Sequence, residues 1–284
     1  MKKTLLLCLC AALTLSCNST LSSTDKNQST QPIPPDTKGK TRILMIGNSH
    51  TEFYVSLPDM LESLCAANGH DVTVDRVIDM GASLNEIIKA NADNADRLFA
   101  FTDADGNYYD YIILQEKTSV VLSDPETYLE NCRHITAMVR KNSPKAVLYI
   151  YEVMSPVPYL DKERFKETLK LSHDRASMVT RSLNNAGVLH IGDKIAEAYA
   201  GKNGYQYTVG GNDALRFGDN TLHMLNDAGY LSTIYTYKTL FGRMPAIPKQ
   251  LPLCSGTGDE DEIELHEVDK VISNPGALTK IAED

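Results

Sequence analysis

The chain contains an apolar segment that ends in a glycine-bearing turn, and it reads Arg42-Ile43-Leu44-Met45-Ile46-Gly47-Asn48-Ser49. Four consecutive apolar residues before a polar turn predict a strand that is buried on both faces. Strands of that kind occur in parallel sheets, which helices cover on both sides. Ser49 lies where a strand-to-helix turn would expose its hydroxyl and its backbone N–H. A serine at such a turn is also a common helix cap, so this segment alone leaves both interpretations open.

Apolar strands and amphipathic helices alternate along the rest of the chain. After the first strand, further strands are predicted at residues 72–78, 111–114, 146–151 and 188–191. Helices are predicted at residues 57–68, 125–141, 161–185 and 225–240. Strands separated by helices imply right-handed crossovers and a parallel sheet. We therefore expect an α/β fold, a three-layer α/β/α sandwich around a central parallel sheet of about five strands.

The N-terminus carries a targeting signal. Lys2 and Lys3 precede an apolar run at residues 5–13 that is too short to span a bilayer, and Ser16-Cys17 follows. This pattern predicts a secretory signal peptide at residues 1–16. A cysteine directly after the cut resembles a bacterial lipoprotein signal, in which Cys17 would be acylated. The alternative is an ordinary secreted protein.

The remaining chain divides by composition into three parts. Residues 17–40 are rich in Ser, Thr, Asn, Gln and Pro, which predicts a flexible linker behind a lipid anchor. Residues 41–250 hold the alternating strands and helices and form the expected folded domain. Residues 251–284 include an acidic run and predict a peripheral C-terminal tail with one helix. We expect the protein in the bacterial cell envelope, in the periplasm or on the cell surface.

Charge and cysteine content limit the function. The 284 residues are 42% hydrophobic and 23% charged, which is ordinary for a globular protein. Signal removal takes two of the 28 basic residues and leaves 37 acidic ones, a formal charge of −11. A nucleic-acid partner is therefore not expected. No Cys-x-x-Cys pair is present, so we expect no metal, and Cys65 and Cys132 are expected to be buried apolar fillers.

Polar residues follow the predicted strands, at the edge of a parallel sheet where active sites lie. Gly81 follows the second strand and could donate a backbone N–H to an oxyanion, although an ordinary tight turn also explains it. Gln115 follows the third strand and could supply a neutral amide donor, or it could simply cap the strand. His223 precedes the last helix, and Asp219 four residues earlier is an acid that could orient its ring.

These residues, in this order, resemble the sequence blocks of the SGNH hydrolase superfamily, the GDSL-like esterases. Gly47-Asn48-Ser49 is similar to its first block, Gly81 to the glycine of its second, and residues 219–223 to its last. A secreted bacterial branch is closer still, with Gly-Asn-Ser-x-Thr and Leu-Gln-Glu blocks like residues 47–51 and 114–116 here. The resemblance covers roughly residues 42–245 and implies a flavodoxin-like fold.

Two departures from the family pattern affect the site. The Asn of the third block is replaced by Gln115. Residues 210–213, Gly-Gly-Asn-Asp, have the usual sequence of that block, but they come after the fifth strand and are interpreted as a loop. Asn220 stands three residues before His223, where an Asp is usual. Either a bulge lets Asp219 orient His223, or the site is a Ser-His dyad. In a chymotrypsin-type triad, exchange of the Asp for Asn costs about 10⁴ in turnover.

The resemblance implies a serine esterase that needs no cofactor. Ser49 would be the nucleophile, His223 its base and Asp219 the supporting acid, and the oxyanion would be bound by Gly81 and Gln115. Tyrosines at residues 108–111 and 201–207 favour a carbohydrate ester, although they could equally be packing residues. The third block with Gln115 favours a short acyl (acetyl) group on that carbohydrate. The rival interpretation is a non-catalytic glycan-binding lipoprotein on a degenerate SGNH fold, which Asn220 favours.

Overall fold

The structure is a computed structural model that describes residues 32–37, 39–91, 106, 108–218, 223–255 and 263–284. The predicted signal peptide, the anchor at Cys17 and the acid Asp219 lie outside the described residues. Among the residues that are described, no helix is both long enough and apolar enough to cross a bilayer.

A five-stranded parallel sheet forms the centre of the fold. Its strands are β1 (Thr41–Gly47), β2 (Val72–Ile78), β3 (Tyr111–Leu114), β4 (Val147–Tyr151) and β5 (Ala186–Leu189). Their order across the sheet is β2-β1-β3-β4-β5, which is the flavodoxin-like order. This confirms the predicted α/β fold. The apolar run at residues 43–46 is buried in β1, an interior strand between β2 and β3, as expected for a strand covered on both faces.

Helices cover the sheet and extend beyond the predicted set. They are α1 (Leu57–Ala67), α2 (Leu84–Ala90), α3 (Thr118–Ser123), α4 (Pro125–Asn142), α5 (Lys162–Arg181), α6 (Ile191–Tyr199), α7 (Asn226–Phe241), α8 (Val268–Val271) and α9 (Pro275–Glu283). Local signals start several of them. The Ser56 side chain caps α1, and Ser83 and Glu86 form a reciprocal capping box at α2.

The segment around Gly187 differs from its prediction. The helix predicted at 161–185 ends at Arg181, and the fifth strand begins at Ala186 rather than at 188. Gly187 lies inside β5 opposite Tyr149, where a Cβ would stand 2.9 Å from the tyrosine ring. The glycine is therefore needed for close packing within the sheet, and it does not mark the end of a helix.

The C-terminal residues are more ordered than a peripheral tail with one helix. Strands β8 (Gln250–Cys254) and β9 (Ile263–Glu267) pair antiparallel, and α8 and α9 follow. Leu251 and Leu253 are buried, because alternate residues of β8 face the core. Leu278 and Ile281 of α9 are also buried, and α9 packs against α7.

The Gly-Gly-Asn-Asp segment and two of the cysteines were also interpreted from the sequence. Residues 210–213 belong to a hairpin of strands β6 (Thr208–Val209) and β7 (Asn212–Asp213), away from the end of β3. Cys65 and Cys132 are fully buried and form no disulfide, which agrees with a packing role.

Candidate active site

Ser49 and His223 meet at the carboxyl edge of the sheet. Ser49 lies in the turn that follows β1, and His223 comes three residues before α7. Nε2 of His223 lies 2.9 Å from Oγ of Ser49, although 174 residues separate them in the chain. For Nε2 to accept the serine proton, the neutral imidazole must carry its own proton on Nδ1. The pair therefore has the geometry of a nucleophile and its general base.

The side chain of Asn48 ties the Ser49 turn to the turn after β2. Its Nδ2 donates to the carbonyl of Ala82 at 2.8 Å, and its Oδ1 accepts the N–H of His50 at 3.2 Å. Asn48 is buried, so both of its polar ends are satisfied by the protein. This contact fixes the spacing between the first and second sequence blocks. Sequence reasoning assigned Asn48 no role, and its position in the first block was the only signal.

Gln115 lies beneath the Ser49 turn and is 1% exposed. Its Oε1 accepts the backbone N–H of Asn48 at 2.8 Å and the Thr51 hydroxyl at 3.2 Å. Its Nε2 donates to the carbonyl of Glu116 at 2.7 Å. These contacts hold the turn, and because Nε2 carries a second N–H, the role of Gln115 as an oxyanion donor stays a prediction.

Glu116 is fully buried and joins the second block to the third. Its carboxylate accepts the backbone N–H groups of Leu84 at 3.0 Å and Lys117 at 2.7 Å, and the Asn131 amide at 2.8 Å. Burial raises the pKa of Glu116 from its usual value, and these hydrogen bonds oppose the rise. The Leu84 contact anchors the first turn of α2, directly after Gly81 and Ala82.

Gly81 presents a backbone N–H at the same edge. It has a φ of 71° and is exposed in a turn that the Ala82 N–H closes onto the Asp79 carbonyl at 3.1 Å. Within the part of the chain that the structure describes, the N–H groups of Ser49 and Gly81 donate to no protein acceptor. Two N–H groups of this kind, on turns that Asn48 ties together, are suited to bind an oxyanion.

Backbone contacts between residues 215–217 and 223–225 hold His223 in place. Arg216 and Met224 form an antiparallel bridge. The Phe217 N–H donates to the His223 carbonyl at 3.1 Å, and the Leu225 N–H donates to the Leu215 carbonyl at 3.0 Å. The backbone of His223 is thus fixed from within the described residues, whereas Asp219 and Asn220, either of which could orient its ring, lie outside them.

Aromatic rings surround the imidazole of His223. The Phe53 ring centroid lies 4.3 Å away and the Tyr54 ring stands edge-on at 5.8 Å. Burial lowers the pKa of His223 below its ordinary 6.5, which keeps the ring neutral and able to accept a proton.

A second histidine lies next to the pair. The His50 ring centroid stands 6.3 Å from that of His223, and its Nδ1 lies 3.5 Å from the Thr118 hydroxyl. Burial, with a smaller effect of His223, lowers the pKa of His50 to about 3. His50 is therefore neutral at physiological pH and places no positive charge beside Ser49.

An open cleft of about 210 Å³ lies beside residues 216–218. Its lining residues include Tyr159, Tyr207, Arg216 and Gly218. Phe217 lies between the last two and packs on Tyr54 with ring centroids 4.4 Å apart. The cleft thus adjoins the aromatic side chains around His223.

The tyrosine-rich segments divide between cleft and core. Tyr207 lines the cleft, whereas Tyr205 is buried and donates to Asp227 at 2.7 Å. Tyr109 and Tyr111 are buried too, and Tyr111 begins β3, so this segment lies at the amino end of the strand, away from the site. The sugar-binding interpretation of residues 108–111 is therefore not supported by their position.

Neither a protein-family model nor a curated protein matches the sequence. A candidate SGNH hydrolase from Slackia heliotrinireducens is similar in structure, with a TM-score of 0.53 and 18% identity, over 71% of this chain and 100% of that one. The chain has the fold of the SGNH hydrolases.

Two other solved structures are similar to this SGNH-type fold. A DUF4886 family protein from Bacteroides uniformis has a TM-score of 0.59 and 14% identity, over 86% of this chain and 93% of that one. LAE5, an alpha/beta hydrolase enzyme from the metagenome of Lake Arreo, Spain, has a TM-score of 0.52 and 12% identity, over 72% and 97%. At these identities the comparisons show the fold, and the activity must be argued from the site.

Proposed function

We propose that the protein is a serine esterase that uses Ser49 and His223. The observation that carries this proposal is the 2.9 Å contact between Oγ of Ser49 and Nε2 of His223. It joins two polar residues from distant parts of the chain at the edge of the sheet where active sites of this topology lie. A serine that only capped a helix would not need an imidazole nitrogen as a partner.

The reaction follows the usual two steps of acyl transfer. Oγ of Ser49 attacks the ester carbonyl while Nε2 of His223 takes the hydroxyl proton, and the N–H groups of Ser49 and Gly81 bind the oxyanion. The tetrahedral intermediate collapses, and the alcohol leaves with the proton from His223. Water then attacks the acyl-serine with His223 again as base, which releases the acid and restores Ser49. Gln115 and Glu116 hold the two turns in position.

The test is hydrolysis of a short acyl aryl ester by the wild type and by Ser49→Ala. Removal of the nucleophile should reduce turnover to the background rate, whereas Ser182→Ala, at an exposed serine after α5, should leave it unchanged. A fluorophosphonate probe should label the wild type and Ser182→Ala but not Ser49→Ala. Equal hydrolysis by wild type and Ser49→Ala would sink the proposal, and sugar binding without labelling would favour a glycan-binding lipoprotein instead.

We further propose that the alcohol side of the ester is a carbohydrate and that the acyl group is short, as in an acetyl ester. Tyr159 and Tyr207 line the cleft next to the site, with ring centroids 5.7 Å apart and nearly perpendicular planes. Tyrosines of this kind stack on the apolar faces of sugar rings while their hydroxyls hydrogen-bond. Phe53 and Tyr54 pack against each other and lie next to the His223 ring, and such bulky rings beside the catalytic pair favour a short acyl chain.

Kinetics with two substrates can separate this proposal from the esterase proposal. Tyr159→Ala and Tyr207→Ala should raise KM for an acetylated oligosaccharide about tenfold and change kcat/KM for an aryl acetate little. Tyr108→Ala is the matched control, because Tyr108 is exposed at the opposite edge of the sheet. An unchanged KM for the oligosaccharide would exclude the cleft as the sugar site and leave the esterase activity unaffected.

We also propose that the protein is a lipoprotein anchored through Cys17 to a membrane of the bacterial cell envelope. The support is the sequence pattern of the first 17 residues. Expressed in a bacterium, the wild type should partition into the detergent phase of a Triton X-114 extract, and Cys17→Ala should move to the aqueous phase. Cys65→Ala is the control. Wild type found only in the aqueous phase would contradict the anchor.

A further inference from the structure

We propose that Glu152, His173, His190 and Asp193 form a zinc site, separate from Ser49 and His223. Each of the four offers one ligand atom, and these atoms all lie within 4.8 Å of one another. The proposal does not depend on esterase activity. It also differs from the sequence-based expectation of no metal, which rested on the absence of paired cysteines.

The fold brings the four residues together from four elements. Glu152 directly follows β4, His190 directly follows β5, and Asp193 lies in the first turn of α6. His173 comes from the middle of α5. In the sheet order, β4 and β5 stand two and three strands away from β1, so the cluster occupies the same edge as Ser49 but a different part of it.

The distances fit a tetrahedral ion. Oε2 of Glu152 lies 2.9 Å from Nδ1 of His190 and 3.1 Å from Nδ1 of His173. Oδ2 of Asp193 lies 2.9 Å from Nδ1 of His173 and 3.6 Å from Nδ1 of His190. Ligands bonded to zinc at about 2.0–2.1 Å stand about 3.3 Å apart at the corners of a tetrahedron. The four distances fall on both sides of that value, so small side-chain movements would admit the ion.

The chemistry of the four ligands favours zinc. Two imidazoles and two carboxylates are typical zinc ligands, whereas Ca²⁺ and Mg²⁺ prefer oxygen alone. Two carboxylates also supply the negative charge that balances a divalent cation. The two imidazole rings stack at 22° with centroids 5.0 Å apart, and each directs Nδ1 toward the same carboxylates.

A backbone hydrogen bond orients the carboxylate of Glu152, as hydrogen bonds commonly orient the ligands of metal sites. Its second oxygen, Oε1, accepts the backbone N–H of Asp193 at 2.8 Å, which leaves Oε2 for the histidines. A Cβ on Gly192 would stand 2.7 Å from the Val153 carbonyl and 3.0 Å from Oε1 of Glu152, so only glycine lets α6 approach this closely. The Gly192 N–H also donates to the Glu152 carbonyl at 3.1 Å.

The cluster is accessible to an ion from solvent. Glu152 is fully buried, while the side chains of His173 and His190 are 40% and 34% exposed. A bound zinc would link α5 to the carboxyl ends of β4 and β5. We therefore assign it a structural role, in which binding stabilises the folded state.

The experiment measures zinc directly on tag-free protein that has been stripped with a chelator and dialysed against Zn²⁺. We expect one equivalent of zinc by mass spectrometry, a thermal midpoint that rises with zinc concentration, and an intense tetrahedral absorption spectrum with Co²⁺. Loss of an outer-shell partner weakens metal affinity about 10- to 100-fold, so His173→Ala and His190→Ala should each weaken it at least about 100-fold.

Matched variants make the result decisive. His134→Ala, at an exposed histidine of α4, and Ser49→Ala should both bind zinc like the wild type. Asp193→Asn should weaken binding through loss of one charge and serves as the test if a histidine variant fails to fold. A protein that takes up no zinc, or zinc whose binding is the same in His173→Ala, His190→Ala and His134→Ala, would overturn the site and identify the cluster as an ion-pair network.

Discussion

Gly47 and Gln115 are packed so closely that no side chain fits between them. A Cβ on Gly47 would stand 2.7 Å from Oε1 of Gln115 and 2.7 Å from Oγ1 of Thr51. The same Oε1 accepts the N–H of Asn48, so the glycine, the amide and the turn that carries Ser49 form one contact group. The position of the nucleophile therefore depends on a residue whose side chain is a hydrogen atom.

Gly47→Ala should consequently damage both stability and activity. The added methyl group must displace Gln115 or the Ser49 turn, and overpacking of this kind costs about 1–3 kcal/mol of unfolding free energy. A displacement of the nucleophile by about 1 Å can lower kcat/KM about 100-fold. Urea unfolding and aryl ester hydrolysis measure the two effects.

Gly276→Ala is the control for that exchange. Gly276 lies in the first turn of α9, where the nearest atom to a new Cβ is 3.9 Å away. Because alanine favours helix more than glycine does, this variant should match or exceed the wild type by up to about 1 kcal/mol. If Gly47→Ala behaved in the same way, the close contact with Gln115 would be excluded as a determinant of the site.

Gln115→Glu tests whether the amide holds the turn. The exchange keeps an acceptor for the Asn48 N–H but places a carboxylate oxygen against the carbonyl of Glu116, where Nε2 now donates at 2.7 Å. A buried charge without a partner costs about 3 kcal/mol or more, so the variant should be destabilised by about that amount at pH 7. Relative to the wild type it should recover stability on acidification, because a protonated Glu can again donate to that carbonyl.

The exposed Gln206→Glu is the matched variant for this measurement and should stay within about 0.5 kcal/mol of the wild type. An unfolding free energy of Gln115→Glu that equalled that of Gln206→Glu at every pH would show that the amide carries no structural role.

The sequence was sufficient to predict the sheet and the residues at its edge, because both depend on local patterns. The apolar run at 43–46 predicted β1, and the turns after the first three strands gave Ser49, Gly81 and Gln115. The contacts of Gln115 beneath the Ser49 turn were not predictable. An amide after a strand can point into a site or beneath a turn, and its direction depends on tertiary contacts. The cluster of Glu152 and His190 was missed because its ligands span 42 residues without a metal-binding spacing, although both follow strands.

The pH dependence of esterase activity should report His223. Its pKa lies below 6.5 because the ring is partly buried. The ring therefore stays neutral, and able to act as a base, at a lower pH than an exposed histidine does. The acid limb of kcat/KM for an aryl acetate should therefore have its midpoint below pH 6.5. Phe53→Ala should open the ring to water and move the midpoint up toward 6.5, whereas Tyr108→Ala should not shift it. A midpoint at or above 6.5 in the wild type would contradict this assignment.

The buried ring of His50 should make the folded state sensitive to acid. Its pKa falls from 6.5 in the unfolded chain to about 3 in the folded protein, where burial disfavours the cation. Above pH 6.5 both states are neutral and this group has no effect. As the pH falls from 6.5 toward 3, the unfolded chain takes up a proton that the folded protein does not, so stability decreases. The loss attributable to His50 is about 2 kcal/mol at pH 5.

His50→Gln removes the titrating group and keeps a polar side chain of similar size. Between pH 7 and pH 5 the variant should lose about 2 kcal/mol less unfolding free energy than the wild type, even if it is less stable at pH 7. His134→Ala, at an exposed histidine, should follow the wild type over the same range. Urea unfolding at a series of pH values gives the comparison, and parallel curves for His50→Gln and the wild type would show that His50 is not buried as a neutral ring.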